Sequence, residues 1–254
     1  MIKYAVFETE EEWLDFRAHY FTASEASKLL VEPKKKDEVL SVGAKTYIRK
    51  KAAALLAPRE PSYFNSAMEH GKNTEPLAAV KFAAHFGKNI DDDDIIYTST
   101  NGFVFFYDDE YNLGGTPDLI LRLLKKSGEI KCPNSDTHLE YLLLKTAEDV
   151  KTYLQEYYGQ MQTNMYLTQT DECIFMSFDN RFYNEELHSH FITIPRDNEY
   201  IEKLLMKAKF GKEYREQILK TINEKSCQSS TIRKATKPRR STTKKIITGS
   251  GSGI

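Results

Sequence analysis

The spacing of apolar and polar positions changes along this chain, and each change of period marks an element. Thr9-Glu10-Glu11-Glu12 is a capping-box pattern, and Trp13, Phe16 and His19 or Tyr20 follow it at helical spacing. A second such pattern, Thr22-Ala23-Ser24-Glu25, predicts a short helix through Leu30 with Thr22 at its N-cap. Further helices are predicted over Ser41 to Ala57, stopped by Pro58, and over Asn65 to Phe86, ending near Gly87. Pro76 inside that last stretch has to lie near a helix start or cause a kink. Ile95 to Thr98 and Phe103 to Tyr107 read as a hairpin around Asn101-Gly102. Leu119 to Leu124 reads as a strand punctuated by Arg122, Lys125 to Gly128 as a turn, and Glu129 to Cys132 as the returning strand. A meander of about four strands is expected. Leu154, Tyr158, Met161 and Met165 recur at helical spacing within a single helix over Glu148 to Leu167. Strands at Glu172 to Phe178 and His190 to Ile194, then a helix from about Asp197 to Ile222, complete an α/β pattern.

Composition narrows the class. No stretch approaches the roughly 18 apolar residues of a membrane span, and the N-terminus lacks the apolar core of a signal peptide, so a soluble, intracellular protein is expected. Cys132, Cys173 and Cys227 are far apart, with no C-x-x-C, and are expected to be reduced. Net charge is −1, but seven of the 36 Lys and Arg lie after Thr231 with no acid among them. The rest of the chain is therefore acidic, at −8 (29 basic against 37 acidic residues), and any nucleic-acid reading needs a locally basic groove. We divide the chain into a folded domain over residues 1–225 and a Ser/Thr/Lys/Arg-rich tail over 226–254, expected to be disordered.

Candidate chemistry centres on Gly114 to Pro133. Side chains in a strand alternate faces, so Glu129 and Lys131 share one side while Ile130 enters the core. Asp118, at the start of the preceding strand, can sit beside Glu129 across the ladder. Two carboxylates and an ammonium suit Mg²⁺ with its oxygen ligands and metal-assisted phosphodiester hydrolysis. A salt-bridged hairpin would use the same residues.

Other features stay open at this level. Arg17 and Ser24 can form a phosphate clamp, or a solvated arginine and a helix-start serine. Glu75 can reach a metal directly or through water, or stand as a surface glutamate. Lys45 and Arg49 form a basic stripe that could track a DNA backbone or be a solvated face. Asp91 to Asp94 lacks the spacing and glycine of a calcium loop and reads as a solvated turn. His188 and His190 read as edge histidines.

These motifs together resemble the lambda-exonuclease or YqaJ-type viral recombinase nucleases of the PD-(D/E)xK superfamily. The resemblance rests on Trp13 to Glu25 (W-L-D-F-R-A-H-Y-F-T-A-S-E), His70 to Glu75 (H-G-K-N-T-E), Gly115 to Asp118, Glu129 to Pro133 (E-I-K-C-P) and Tyr157 to Gln162 (Y-Y-G-Q-M-Q), spanning roughly residues 10–195. It implies a restriction-endonuclease-like core, a central mixed β-sheet flanked by helices. It also implies a processive 5′→3′ exonuclease on linear double-stranded DNA that leaves 3′ single-stranded tails for recombination or repair. Carried over by motif, Asp118, Glu129, the Ile130 carbonyl and Glu75 would hold Mg²⁺ in a two-metal site that Mn²⁺ can also fill. Lys131 and Gln160 would assist the attacking water, and Arg17 and Ser24 would bind the 5′-terminal phosphate. A ring-shaped trimer, a single-strand annealing partner and a place in host cytoplasm or nucleus follow from the same resemblance. Competing readings are a structure-specific or restriction-type endonuclease on this fold and a non-catalytic DNA-binding module. The sequence departs from the family at Ala18-His19-Tyr20, where many relatives have a glycine, so the bend before Thr22 is expected to differ.

Overall fold

The computed structural model describes residues 1–58, 66–99 and 103–235. In chain order the elements are β1 (Lys3–Phe7), α1 (Glu10–Ala18), β2 (Phe21–Thr22), α2 (Ala23–Ala26), α3 (Val42–Ala53), α4 (Ser66–His85), β3 (Ile95–Tyr97), β4 (Phe103–Asp108), β5 (Leu113–Gly115), β6 (Leu119–Leu121), β7 (Lys126–Lys131), α5 (Ser135–Leu142), α6 (Ala147–Tyr153), α7 (Gln155–Thr168), β8 (Glu172–Phe178), β9 (Ser189–Pro195) and α8 (Asn198–Ala235). A 3₁₀ turn, Ser27–Leu30, continues α2.

Alternation along β8 sets up the main sheet. Ile174, Met176 and Phe178 pack on one face with Ala78, Ala79, Phe82 and Ala83 of α4. Cys173 and Phe175 pack on the other with Tyr158, Met161 and Met165 of α7. Both faces are thus covered, which is why β8 reads as a continuous apolar run rather than an alternating one. The five strands lie in the order β3-β6-β7-β8-β9. The β7–β8 pair is parallel and the other pairs are antiparallel, so the sheet is mixed and flanked by helices, as expected.

A second sheet, β1-β4-β5-β2, carries the N-terminal part. Phe16 of α1 packs against it, tilted to the rings of Phe7 and Tyr20 and edge-on to those of Phe105 and Tyr107. Phe21 and Leu113 lie in a separate core with α3 and α8. The expected four-strand meander is therefore wrong: β3 pairs with β6 in one sheet, while β4 pairs with β1 and β5 in the other. Asn101-Gly102 lies outside the described residues. A turn signal between two strands does not oblige them to pair.

Three further expectations shift for local reasons. The β6–β7 turn falls at Arg122–Lys125, with Lys125 at φ 50°, and not at Lys125 to Gly128. Gly128 is inside the strand because the Phe82 ring fills the space of its missing side chain, 2.6 Å from where a Cβ would stand. The helix expected over Glu148 to Leu167 breaks at Leu154 (φ −122°, ψ 50°) into α6 and α7, with a capping box of Thr146 and Asp149 starting α6. Thr22 sits at the α2 N-cap, but its hydroxyl accepts no helix N–H, because Phe21–Thr22 is a strand paired with β5. That short strand occupies the segment between α1 and α2 where the bend is expected to differ from that of relatives.

Pro76 lies well inside α4, and α8 runs on to Ala235, past the expected domain boundary at 225. Residues 236–254 are outside the described set. Lys45 is paired with Glu38 at 2.5 Å, and Arg49 donates to the Tyr214 hydroxyl at 2.8 Å, so the expected basic stripe is engaged within the fold. Within the acidic run, Asp94 pairs with Lys88 at 3.0 Å and Asp92 accepts the Asn89 N–H at 3.1 Å. His190 Nε2 donates to the Leu144 carbonyl, and His188 Nε2 to that of Phe182, both at 2.7 Å. No helix of the described residues is long and apolar enough to cross a membrane.

The chain leaving β7 is latched by Asp179, whose carboxylate accepts from Ser135 Oγ at 2.7 Å and from Arg181 Nε and Nη2 at 2.7 and 2.9 Å. Arg181 also donates to the Pro133 carbonyl. Burial alone would raise the Asp179 pKa, but the hydrogen bonds from Arg181 and Ser135 override it and hold it at about 2. A depressed folded pKa gives stability that is present above the ordinary Asp range and lost as pH falls through the folded value. We expect a component of roughly 2 kcal/mol to disappear between about pH 4 and pH 2. Urea unfolding across that window should show it in the wild type, and Asp179→Asn should show a lower stability at neutral pH and a flatter acid limb.

Candidate active site

The register of β6 on β7 pairs Leu119 with Gly128, which sets Asp118 opposite Glu129 one step further. Asp118 Oδ2 accepts the Ile130 N–H at 2.6 Å, in the place where a continuing β6 would have supplied a carbonyl. A residue's N–H and C=O leave a strand on the same side, so the Ile130 carbonyl faces that same opening. Thr98 fixes the approach, its hydroxyl donating to the Pro117 carbonyl at 2.7 Å and its N–H to that of Asp118 at 3.1 Å. Ile130 itself packs in the core with Phe82 and Met176.

Glu129 is fully buried on the α7 face of the sheet. Its Oε1 accepts the Lys131 ammonium and the Gln160 amide, the latter at 2.7 Å. Its Oε2 is buried with no hydrogen-bond partner among the described residues. A bare carboxylate oxygen beside Asp118 and the Ile130 carbonyl is a donor set for a hard divalent cation, so these residues fit Mg²⁺. Burial, and then the charge of Glu129, raise the Asp118 pKa well above the usual carboxylate range, with Lys131 opposing. For Lys131, burial would lower the pKa, but Glu129 and Asp118 outweigh it and raise it, so it stands as an ammonium.

Arg17 and Ser24 come together, Arg17 Nη2 donating to Ser24 Oγ at 3.3 Å. The guanidinium lies 5.0 Å from the Trp13 ring, one helical turn back. It forms no ion pair among the described residues, and burial lowers its pKa. Arg17, Ser24, Glu75, Asp118 and Gln160 line one cavity of about 550 Å³. Glu75 is held on its wall by the Ser99 hydroxyl at 2.8 Å and the Tyr97 hydroxyl at 3.2 Å. Among the described residues no three His, Cys, Asp or Glu side chains stand close enough to form a ready-made metal cluster. Asp118 and Glu129 are the carboxylate pair, and Glu75 is set apart with its own partners.

Several contributions were not read from the sequence, although Gly115 and Trp13 stand within its motifs. Gly115 lies where a Cβ would stand 2.4 Å from Asn164 Oδ1 and 2.8 Å from the Ala23 Cβ, so β5 passes α7 and α2 with no side chain between them. Ser99 and Tyr97 are ordinary strand-end residues until the fold brings α4 across them. Trp13 four residues before Arg17 was a readable signal of the stacked pair, since i,i+4 residues share a helix face.

Mixed sheet, flanking helices and a carboxylate pair with a lysine two residues on define the PD-(D/E)xK class of nuclease folds. The sequence model of the YqaJ-like viral recombinase domain matches residues 12–171, and the chain belongs to that family. Among solved structures, LHK-Exo in complex with dAMP is 23% identical with a TM-score of 0.66, covering 86% of this chain and 98% of its own. The alkaline exonuclease LHK-Exo from Laribacter hongkongensis gives 23% and 0.65 over 86% and 99%. A phage-related exonuclease from Haemophilus somnus 129PT gives 18% and 0.63 over 82% and 99%. At these identities the likeness shows the shared fold. No curated protein sequence matches the chain.

The tight passage at Gly115 is testable. Gly115→Ala has to displace Asn164 or Ala23, and we expect it to lower stability by about 1–3 kcal/mol, read as a lower melting temperature in calorimetry. Gly43→Ala, whose Cβ would meet only Ser41 Oγ at 3.8 Å, should not lower it.

Proposed function

We propose that the protein is a Mg²⁺-dependent exonuclease that degrades one strand of linear double-stranded DNA from the 5′ end and leaves a 3′ single-stranded tail for recombination or repair by annealing. The observation that carries this reading is the single cavity with the Arg17–Ser24 pair on one wall and Asp118 with Gln160 on another. An anion clamp at a fixed distance from a hydrolytic centre measures from a chain end. The likeness to LHK-Exo, a structure with a bound nucleoside monophosphate, suits a cavity that releases mononucleotides.

Arg17 and Ser24 bind the terminal phosphate and set the register of the strand. Asp118, Glu129 and the Ile130 carbonyl would hold Mg²⁺, for which Mn²⁺ can substitute, and Glu75 would be the carboxylate available to a second ion. A cation held there would supply Lewis-acid polarisation of the scissile phosphate and would make the attacking water more acidic. The Lys131 ammonium stabilises charge developing on the phosphate, and Gln160, with one N–H given to Glu129, has its remaining amide atoms for the attacking water. A ring-shaped trimer, a single-strand annealing partner and action in the cytoplasm or nucleus of a host belong to the same proposal.

Three substrates test it with Mg²⁺ or EDTA: linear 5′-phosphorylated duplex, linear 5′-hydroxyl duplex and covalently closed circles. Metal-dependent loss of the phosphorylated linear duplex, with circles intact, is expected. Cutting of circles would instead support a restriction-type endonuclease, and no hydrolysis by folded protein would support a DNA-binding module. Lys131→Ala should reduce hydrolysis by at least about a hundredfold while end binding, followed by fluorescence anisotropy, persists. Arg17→Ala should lower the preference for the phosphorylated end by about tenfold or more, seen as converging rates on the two linear duplexes.

A further inference from the structure

Gln160 is not the only α7 side chain at the carboxylate pair. Three residues earlier, and so on the same helix face, Tyr157 presents its ring to the Lys131 ammonium, which lies 4.9 Å from the ring centroid. The ring is itself held in place. Phe175 of β8 stacks on it at 6.3 Å and 28°, and Tyr141 of α5 meets it edge-on at 6.4 Å and 82°. The break at Leu154 separates α6 from α7, the helix that carries both Tyr157 and Gln160.

A lysine needs such a support here. Its ammonium sits on a flexible four-carbon stem with no preferred direction of donation. Its ion-pair partner, Glu129 Oε1, is shared with Gln160. When Glu129 gives electron density to a cation, its hold on the ammonium weakens. The negative face of an aromatic ring keeps its attraction through that exchange.

We propose that Tyr157 is the positioning residue for Lys131, its ring face holding the ammonium beside Glu129 by a cation–π contact so that it stays aimed at the reacting phosphate. The catalytic part of this rests on the nuclease reading above. The ring is the active feature, and the hydroxyl is dispensable.

Steady-state hydrolysis of linear 5′-phosphorylated duplex separates these contributions. Tyr157→Phe should keep kcat within about twofold, while Tyr157→Leu should lower kcat about tenfold (about 1.4 kcal/mol), with KM and melting temperature close to wild type. Full kcat in Tyr157→Leu overturns the proposal. So does a Tyr157→Phe protein as impaired as Tyr157→Leu, or a loss confined to KM. Should Tyr157→Leu not fold, the contact is read directly in wild-type protein carrying ¹³C-labelled lysine. The ε-methylene protons of Lys131, assigned by their loss in Lys131→Ala, should be shifted upfield by the ring current in the wild type and in Tyr157→Phe. An unshifted signal refutes the contact. Wild-type protein that hydrolyses no DNA removes the catalytic role of Tyr157 along with the nuclease reading, and the upfield shift distinguishes that failure from a failure of the ring contact.

Discussion

A buried carboxylate with a second one beside it at the cavity wall constrains everything around the pair. Asp118 and Glu129 disfavour each other's charge: Glu129 is fully buried, and Asp118, half-buried at the cavity wall, has its pKa raised by burial and by the charge of Glu129. The chain offsets this with one donor at a time: the Ile130 N–H on Asp118, and Lys131 with Gln160 on one oxygen of Glu129. The second oxygen of Glu129 is left bare. Leaving a buried acceptor unsatisfied costs on the order of 1–3 kcal/mol. Other buried polar atoms also lack partners, Thr22 Oγ1 and Trp13 Nε1 on the same cavity among them, but at this site only Glu129 Oε2 belongs to a carboxylate, and on the proposed reading a divalent cation would complete it.

That arrangement dictates the rest of the architecture. Glu129 can be buried only because β7 is covered by α7, and α7 can lie so close only because Gly115 and Gly159 carry no side chains where it passes β5 and the turn after α2. The stretch from Gly115 to Asp118 carries the chain from the smaller sheet to the larger one. The same few residues therefore tie the Arg17–Ser24 pair, carried by α1 and α2 against the smaller sheet, to the carboxylates of the larger. Asp179, by gripping Ser135 and Arg181 where the chain leaves β7, keeps the far end of that strand from fraying.

Much of this was legible in the sequence where the signal is local. The β8 boundaries follow from a bounded apolar run, and the shared face of Glu129 and Lys131 follows from period two. Thr9 caps α1 as its spacing predicts, its hydroxyl accepting the Glu12 N–H at 3.3 Å. What failed was decided at long range. Gly128 looked like a turn residue, but its lack of a side chain serves Phe82 from α4. Leu154 continues the helical periodicity without Gly or Pro, so nothing in its neighbourhood marks the break. Strands as short as β2 and β5 carry no readable pattern, and their pairing appears only when distant segments meet. The Asp118–Glu129 pair was foreseen, whereas the partners of Glu75 and the ring beside Lys131 were not, because each comes from a different element.

The acidic body of the chain sharpens how DNA ends could be chosen. With a net charge of −8 before the basic tail, long-range attraction to a polyanion is weak, and recognition has to be local. Arg17 supplies a guanidinium that burial makes costly to keep charged; the charge of Glu25 offsets part of that cost, without an ion pair among the described residues. Such a cation gains most from the anion that restores the most charge. A terminal phosphate monoester carries close to two negative charges near pH 7, whereas an internal diester carries one. On the proposed reading, the preference for an end would come from the burial of one arginine, with no need for a generally basic surface.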